Sequence, residues 1–132
     1  MSKEALFNIL NNRFEFDGLK VLDLFSGTGN LSYEFGSRGA VAITSVDGDF
    51  GCVRFIKKTA AGFDFPITAV KSDVYKFLAG HKAVYDIIVA DPPYNFTQEQ
   101  FDEIVSLVFE NELLSEDGMM IIEPVSYTHL TL

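Results

Sequence analysis

The four residues "DPPY" follow directly on the apolar run "YDIIVA" and combine the groups needed to bind an amine. Proline after Asp91 drives that residue toward extended geometry, and Pro93 does the same to Pro92. The Asp91 carboxylate and the Pro92 carbonyl then form two fixed acceptors side by side. Such a pair can hold both hydrogens of a planar amino group and direct the nitrogen lone pair toward an electrophile. Tyr94 can stack on the ring that carries the amine.

A glycine-containing turn follows an earlier apolar run in "DLFSGTGN", with Asp23, Gly27 and Gly29. Glycines allow a tight turn from strand to helix and let a ligand approach the backbone. The fingerprint for dinucleotides requires a third glycine, and Ser32 occupies that position. The turn therefore favours a nucleoside-type ligand over a nicotinamide cofactor.

Two further carboxylates end apolar runs. Asp47 closes "VAITSVD", where it can accept hydrogen bonds from a ribose diol, and Asp73 closes "PITAVKSD", where it can accept one from an adenine amino group. With Asp23 and Asp91, they mark four successive strand ends. Together they predict a pocket for an adenosine-like ligand that carries no pyrophosphate.

These ligand-binding positions need a sheet that brings strand ends together. Apolar runs alternate with helical patterns along the chain, which predicts an α/β fold with a mostly parallel sheet and helices on both faces. Ligands bind at the carboxyl edge of such a sheet. Leu6, Ile9 and Leu10 have the spacing of a first helix, and Val53, Ile56 and Ala60 that of a later one. Strands are predicted at 19–25, 41–47, 66–73, 85–91 and 118–123.

Length and composition limit the function classes. The 132 residues, 48% hydrophobic, fit one domain with one core. A single cysteine excludes an internal disulfide and a multi-cysteine metal site, and no metal site is predicted. No stretch has the length of a membrane span or the form of a signal peptide, so we expect a cytoplasmic protein. The net charge of −9 counts against tight, sequence-independent nucleic-acid binding.

Three segments in one order carry a more specific resemblance: "KEALFNIL", "LDLFSGTGNLSYEFGSRGA" and "YDIIVADPPY". With "DPPY" after the fourth strand, the chain resembles the class I methyltransferases that use S-adenosylmethionine to methylate exocyclic amines of nucleobases. The three segments together resemble the RsmD-type 16S rRNA guanine-N2 methyltransferases. The resemblance extends from residue 3 to about residue 123 and implies a Rossmann-like fold.

The resemblance also implies residue roles. Asp23, Gly27 and Gly29 would line the methionine end of the cofactor, and Phe25 is counted among the cofactor-binding residues. Asp47 would bind the ribose hydroxyls and Asp73 the adenine. The catalytic set Asp91, Pro92 and Tyr94 would hold a flipped-out guanine with its N2 facing the sulfonium methyl. The implied partner is 16S rRNA or a small-subunit assembly intermediate, and we expect a monomer.

The ends of the chain depart from the family pattern. A basic segment before the first helix and a last pair of strands are expected in the family, so we expect the last strands to be missing. Residues 1–123 are interpreted as the methyltransferase core, and residues 124–132 as a truncated or non-native tail. The expected RNA-docking segments are therefore in doubt, which would also help to explain the acidic charge.

Other functions stay open at this point. The "DPPY" acceptors polarise any planar amine, so an enzyme acting on adenine N6 in DNA or RNA, or on a glutamine side chain, is the first alternative. A non-catalytic module that binds S-adenosylmethionine or an adenine nucleotide is the alternative from another class. A flavodoxin-like or NAD-binding protein is last, because the third glycine is lacking.

Overall fold

The fold was analysed in a computed structural model, which describes residues 2–93 and 95–122 in full and residues 125–128 through their backbone. Within these residues, no helix combines the length and apolar character needed to cross a membrane. The strands are β1 (Lys20–Leu24), β2 (Ala42–Asp47), β3 (Ile67–Lys71), β4 (Tyr85–Ala90), β5 (Leu114–Ile122) and β6 (Val125–Thr128). The helices are α1 (Lys3–Asn11), α2 (Asn30–Ser37), α3 (Phe50–Phe63), α4 (Val74–Gly80) and α5 (Gln98–Glu110).

The strands form one sheet in the order β3-β2-β1-β4-β5-β6. The first five are parallel, and β6 is antiparallel to β5. From β1 the chain builds outward to β2 and β3 on one side, and then returns to place β4 on the other side. The strand order therefore reverses between β1 and β4, where ligands bind in this class of sheet. The predicted α/β fold with a mostly parallel sheet is confirmed.

The sheet is covered on both faces by helices. Buried residues of α4 and α5, including Leu78 and Ile104, pack on one face together with Leu22 and Leu24 of β1. Buried residues of α1 and α2 pack on the other face with Val21. Because β1 is covered on both sides, its sequence is nearly continuously apolar. Lys20, exposed at the start of the strand, and Asp23 are the exceptions, and Asp23 is only 2% exposed.

The element boundaries differ from the sequence-based expectation at several points. The predicted first helix is present as α1, in which Leu6, Phe7 and Leu10 are buried and Ile9 is 37% exposed. Strand β5 begins at Leu114 instead of residue 118, and its pairing with β4 shifts register near the start. Helix α4 has only seven residues, too few for a clear period.

The segment after β5 carries a strand that the sequence analysis did not predict. The backbone of Val125–Thr128 pairs with Ile122 back to Met119 of β5. The sequence analysis expected the last strands to be missing, and one strand, β6, is present after β5. The division into a core and a non-native tail stays a prediction.

The start of α2 yields a stability prediction. Gly29 has φ +91, and a Cβ there would lie 2.8 Å from the Tyr33 ring and 2.9 Å from Ile56. Changing Gly29→Ala should therefore lower the free energy of unfolding by about 1–3 kcal/mol, because strained backbone and crowding act together. Urea unfolding followed by circular dichroism measures the change.

Gly62→Ala is the matched control for that variant. Gly62 lies within α3, and a Cβ there has no neighbour within 4 Å. Alanine should stabilise this position by roughly 0.4–1 kcal/mol, since it reduces the freedom of the unfolded chain. If the two variants were equally stable, crowding and strain at Gly29 would not determine the start of α2.

Candidate active site

The β1–α2 loop, residues 25–29, turns sharply at the carboxyl edge of the sheet. Phe25, Gly27 and Gly29 all have positive φ, at 57°, 56° and 91°. For Phe25 this conformation is strained and needs support from its surroundings. The support comes from the Phe96 ring, 5.3 Å away and edge-on, and from the Ser26 N–H, which donates to the Val46 carbonyl at 3.0 Å.

The Asp47 carboxylate holds this loop to the end of β2. One oxygen accepts the Gly27 N–H at 2.8 Å, and the other accepts the Asp49 N–H at 2.8 Å. Each carboxylate oxygen has a second acceptor site, so Asp47 can still bind hydroxyl groups. The carboxylate therefore shapes the loop and also has acceptor capacity for a ligand.

A buried polar network lies beneath the loop. The Ser32 hydroxyl donates to the Asp23 carboxylate at 2.6 Å and lies 2.5 Å from the Ser45 hydroxyl. Burial raises the pKa of Asp23 to about 7, and the negative charges of Asp91 and Asp47 raise it further, while hydrogen bonds from Ser32 oppose the rise. Ser32, which the sequence analysis used only against a nicotinamide cofactor, thus binds and orients Asp23.

Asp73 has a structural role in addition to the predicted one. It is exposed and forms the N-cap of α4, where one oxygen accepts the Lys76 N–H at 3.0 Å. Its other oxygen accepts no hydrogen bond from a described residue. Asp73 can therefore cap the helix and accept a hydrogen bond from a ligand at the same time.

The "DPPY" segment begins where β4 ends. The Asp91 N–H approaches the Leu24 carbonyl of β1 at 3.4 Å, which keeps Asp91 beside the β1–α2 loop. The Asp91 side chain is exposed, whereas Pro92 is buried. Tyr94, the third predicted catalytic residue, lies outside the described residues. The Phe96 N–H donates to the Pro93 carbonyl at 3.0 Å and closes a turn after the prolines.

Two adjacent cavities open at this edge of the sheet. The first, about 220 Å³, lies between α1 and the ends of β1 and β4, and Asp23, Phe25 and Asp91 line it. The second, about 410 Å³, is lined by Asp47 and Asp73. Phe25 and Asp91 line both cavities. The space at the strand-order reversal thus extends from Asp23 in the first cavity, past Asp91, to Asp47 and Asp73 in the second.

The structure brings most of the predicted site residues together. Gly27, Gly29 and Pro92 are not among the lining residues of either cavity. The two glycines act on the loop conformation instead, and Pro92 is buried beside Asp91. Sequence reasoning missed the wall that α1 adds to the first cavity, through Ser2, Lys3 and Leu6. The amphipathic period of α1 predicts a helix but does not indicate which strand ends the helix covers.

Sequence comparison finds relatives over most of the chain. A family model described as conserved hypothetical protein 95 matches residues 1–131. "Putative rRNA methyltransferase YlbH" of Bacillus subtilis is 31% identical over 92% of this chain and 66% of its own length. "Ribosomal RNA small subunit methyltransferase D" of Buchnera aphidicola is 28% identical, over 92% of this chain and 61% of its own length. The chain thus spans a little less than two thirds of these relatives.

Structural comparison supports the same grouping. The solved structure of "Putative methyltransferase yhhF from Escherichia coli" matches with a TM-score of 0.81 and 28% identity. The match covers 89% of this chain and 65% of that chain. The predicted Rossmann-like fold is confirmed.

The buried Asp23 carboxyl predicts a pH-dependent stability. Its pKa is about 7 in the folded state and about 3.9 when unfolded, so between these values the folded chain binds the extra proton. Its contribution to the free energy of unfolding therefore falls as pH rises from about 4 to about 7, by up to about 1.4 kcal/mol per pH unit. Asp23→Asn removes this dependence. The free energy of unfolding of the variant should therefore rise relative to that of the wild type as the pH increases across that window.

Urea unfolding at several pH values measures this difference. Ser32→Ala is the second variant, because loss of the Ser32 hydrogen bond should raise the pKa of Asp23 further and extend the slope to higher pH. A stability difference between wild type and Asp23→Asn that stayed constant across the pH range would contradict the burial-raised pKa.

Proposed function

We propose a function from the family to which the chain belongs, the RsmD-type family, whose model is described as conserved hypothetical protein 95. The proposed reaction is methylation of the exocyclic N2 amine of a guanine in 16S rRNA. The methyl donor would be S-adenosylmethionine. We assign this activity to residues 1–123. The observation that carries the proposal is the position of Asp91, which lines both cavities at the strand-order reversal.

The second cavity fits the adenosine part of the donor. Asp47 keeps acceptor capacity on both carboxylate oxygens for a ribose diol, and Asp73 keeps one oxygen for an adenine amino group. The donor set and the space therefore match a nucleoside with free hydroxyl and amino groups.

The first cavity fits the methionine part. A buried carboxyl with a pKa near 7 gains most from a cationic partner, because such a partner compensates the cost of burying its charge. Asp23 would thus hold the ammonium group, with Ser32 fixing the carboxylate orientation. Phe25 lies between the two parts and lines both cavities.

The catalytic contribution would come from Asp91 and Pro92. S-adenosylmethionine supplies an electrophilic methyl group on a sulfonium, so the protein has to position and polarise the amine. The Asp91 carboxylate and the Pro92 carbonyl would accept hydrogen bonds from the two N–H groups of the amine. These bonds would stabilise the positive charge that develops on the nitrogen as it attacks the methyl group. Tyr94 would stack on the guanine, which has to leave its RNA stack to reach the site.

The substrate side of the proposal is 16S rRNA or a small-subunit assembly intermediate, bound by a monomer. The net charge of −9 means that overall charge does not attract RNA. Recognition would therefore depend on local contacts, with the target base held by the "DPPY" acceptors.

Asp47→Asn tests the cofactor site. Asparagine keeps one carbonyl acceptor for the loop but removes the charge, so affinity for S-adenosylmethionine should fall by roughly 10- to 100-fold, the size expected for losing hydrogen bonds to a charged group. Isothermal titration calorimetry measures the affinity.

Asp49→Asn is the matched control. It removes the same charge two residues away and keeps an N-cap residue for α3, and Asp49 is not among the lining residues of the second cavity. It should bind S-adenosylmethionine like the wild type. Equal affinity for both variants would remove Asp47 from the ribose site, and no binding by the wild type would reject the cofactor assignment.

Asp91→Ala tests the chemical step. The methyl-transfer rate to unmethylated small-subunit rRNA should fall by about 10²–10³, whereas affinity for S-adenosylmethionine should stay nearly unchanged, because Asp91 acts mainly as the amine attacks. Single-turnover transfer of a labelled methyl group measures the rate. Asp102→Ala on the exposed side of α5 removes one carboxylate away from the site and should leave the rate unchanged.

The methylated product separates the alternatives. Digestion of the RNA to nucleosides and mass spectrometry should find N2-methylguanosine. N6-methyladenosine, or methyl transfer to glutamine in a protein substrate, would support the other amino-methyltransferases. Binding of S-adenosylmethionine without any transfer would support the non-catalytic module, and a normal rate in Asp91→Ala would reject the amine-polarising role.

A further inference from the structure

Helix α3 exposes three large aromatic side chains to solvent. Phe50 is 63% exposed, Phe55 51% and Phe63 70%. Phe50 and Phe55 lie away from the buried side of the helix, which Val53, Ile56 and Ala60 form. Phe63 follows Ile56 by seven residues, so it lies in line with the buried side at the exposed C-terminal end of the helix.

Three basic residues lie among these rings. Arg54, Lys57 and Lys58 are exposed, and none forms an ion pair with a residue that the structure describes. Arg54 and Lys58 are four residues apart, so they share one row of the helix, and Phe55 lies in the adjacent row. This helix carries three of the ten cations in a chain of net charge −9. We call Phe50, Arg54, Phe55, Lys57 and Lys58 the α3 outer face.

The acidic residues nearest in sequence lie at the two ends of this face. Asp49 is the N-cap of α3 and accepts the Cys52 N–H at 2.9 Å. Asp64 is the C-cap residue. Neither lies between the cations along the helix, so the middle of the face is positively charged.

The face continues into an open groove between α2 and α3. The Phe63 and Phe65 rings stack at 5.6 Å with an interplanar angle of 15°, and Tyr33 stacks on Phe65 at 6.3 Å and 22°. A cavity of about 300 Å³ lies over these rings, and Lys3 and Glu34, which form an ion pair at 3.3 Å, both line it, so the cations of the neighbouring α3 outer face are the ones that could bind phosphate. Flat rings beside cations match the two needs of an unpaired nucleotide, which are a stacking surface and a partner for phosphate.

We propose that the α3 outer face binds unpaired nucleotides of the RNA substrate, next to the catalytic pocket. The inference rests on the proposed rRNA substrate and names a contact surface for it. The acidic surface of a second copy of this chain would match the cations alone, whereas the phosphates and unpaired bases of RNA match both the cations and the aromatic rings. Helix α3 begins three residues after Asp47, so a strand that leaves the pocket can continue along it.

The test compares two triple variants with the same change in charge. Arg54→Gln/Lys57→Gln/Lys58→Gln removes the α3 cations. The control, Arg13→Gln/Lys20→Gln/Lys82→Gln, removes three exposed cations at the amino edge of the sheet, away from the pocket. Fluorescence anisotropy with a labelled, unstructured RNA of roughly 12 nucleotides measures affinity at several salt concentrations.

The α3 triple variant should lose most of its affinity for RNA. Its plot of log affinity against log salt concentration should become shallower by about 2, because each of the three lost phosphate contacts contributes about 0.7 to the slope. The control should keep the wild-type slope. Phe55→Ala should weaken binding by roughly 5- to 150-fold if one base stacks on this ring. Val84→Ala, which truncates a valine that is 54% exposed, is its control.

Several outcomes would overturn the proposal. One is an equal loss of RNA affinity in both triple variants, and another is an unchanged RNA affinity in the α3 triple variant. A third is that Phe55→Ala keeps its RNA affinity but loses self-association in a sedimentation experiment. Calorimetry with S-adenosylmethionine on the same variants separates the two proposals. Wild-type chain that binds the cofactor but no RNA would reject the α3 surface alone, and chain that binds RNA but no cofactor would reject the methyltransferase assignment alone.

Discussion

The arrangement of the site depends on one carboxylate that accepts two backbone N–H groups. Asp47 closes β2 and binds the Gly27 N–H of the β1–α2 loop with one oxygen and the Asp49 N–H with the other. The pairing of β1 with β2 sets Leu24 opposite Val46, which brings the loop within reach of Asp47. The positive-φ residues, the start of α2 and the start of α3 are positioned by this contact. A ligand that binds Asp47 would meet a carboxylate whose orientation is already determined.

The same edge of the sheet gathers negative charge, which works against the stability of the empty fold. Burial, together with the charges of Asp91 and Asp47, raises the pKa of Asp23 to about 7, so part of the population carries a proton there near neutral pH. A buried carboxyl beside other negative charges is uncommon in a structural core and is typical of functional sites. Ser32 reduces the cost by donating a hydrogen bond to Asp23, and the Ser45 hydroxyl lies within hydrogen-bond distance of Ser32. The carboxylates therefore suit a cationic ligand better than solvent.

The sequence predicts the sheet and the strand ends well because both follow from simple patterns. Each parallel strand is an apolar run, and the residue after it lies at the carboxyl edge, so Asp47 and Asp91 could be placed without coordinates. Contacts between distant segments follow no such pattern. Nothing in the sequence indicates that Ser32 would bind Asp23, because the bond depends on how α2 packs against β1. Spacing alone also does not indicate that Phe7 is buried in α1 while Ile9 is 37% exposed.

The central position of β1 has a consequence for the order in which the chain folds. Its pairing with β2 joins residues that are close in sequence, whereas its pairing with β4 joins Val21 to Ile87. Contacts across long loops form late, since closing the loop costs entropy before the contact stabilises anything. We therefore expect β1, β2 and β3 to assemble first as a growing chain emerges from the ribosome. Asp23, Asp47 and Asp73 would then be in place before β4 delivers Asp91 beside them.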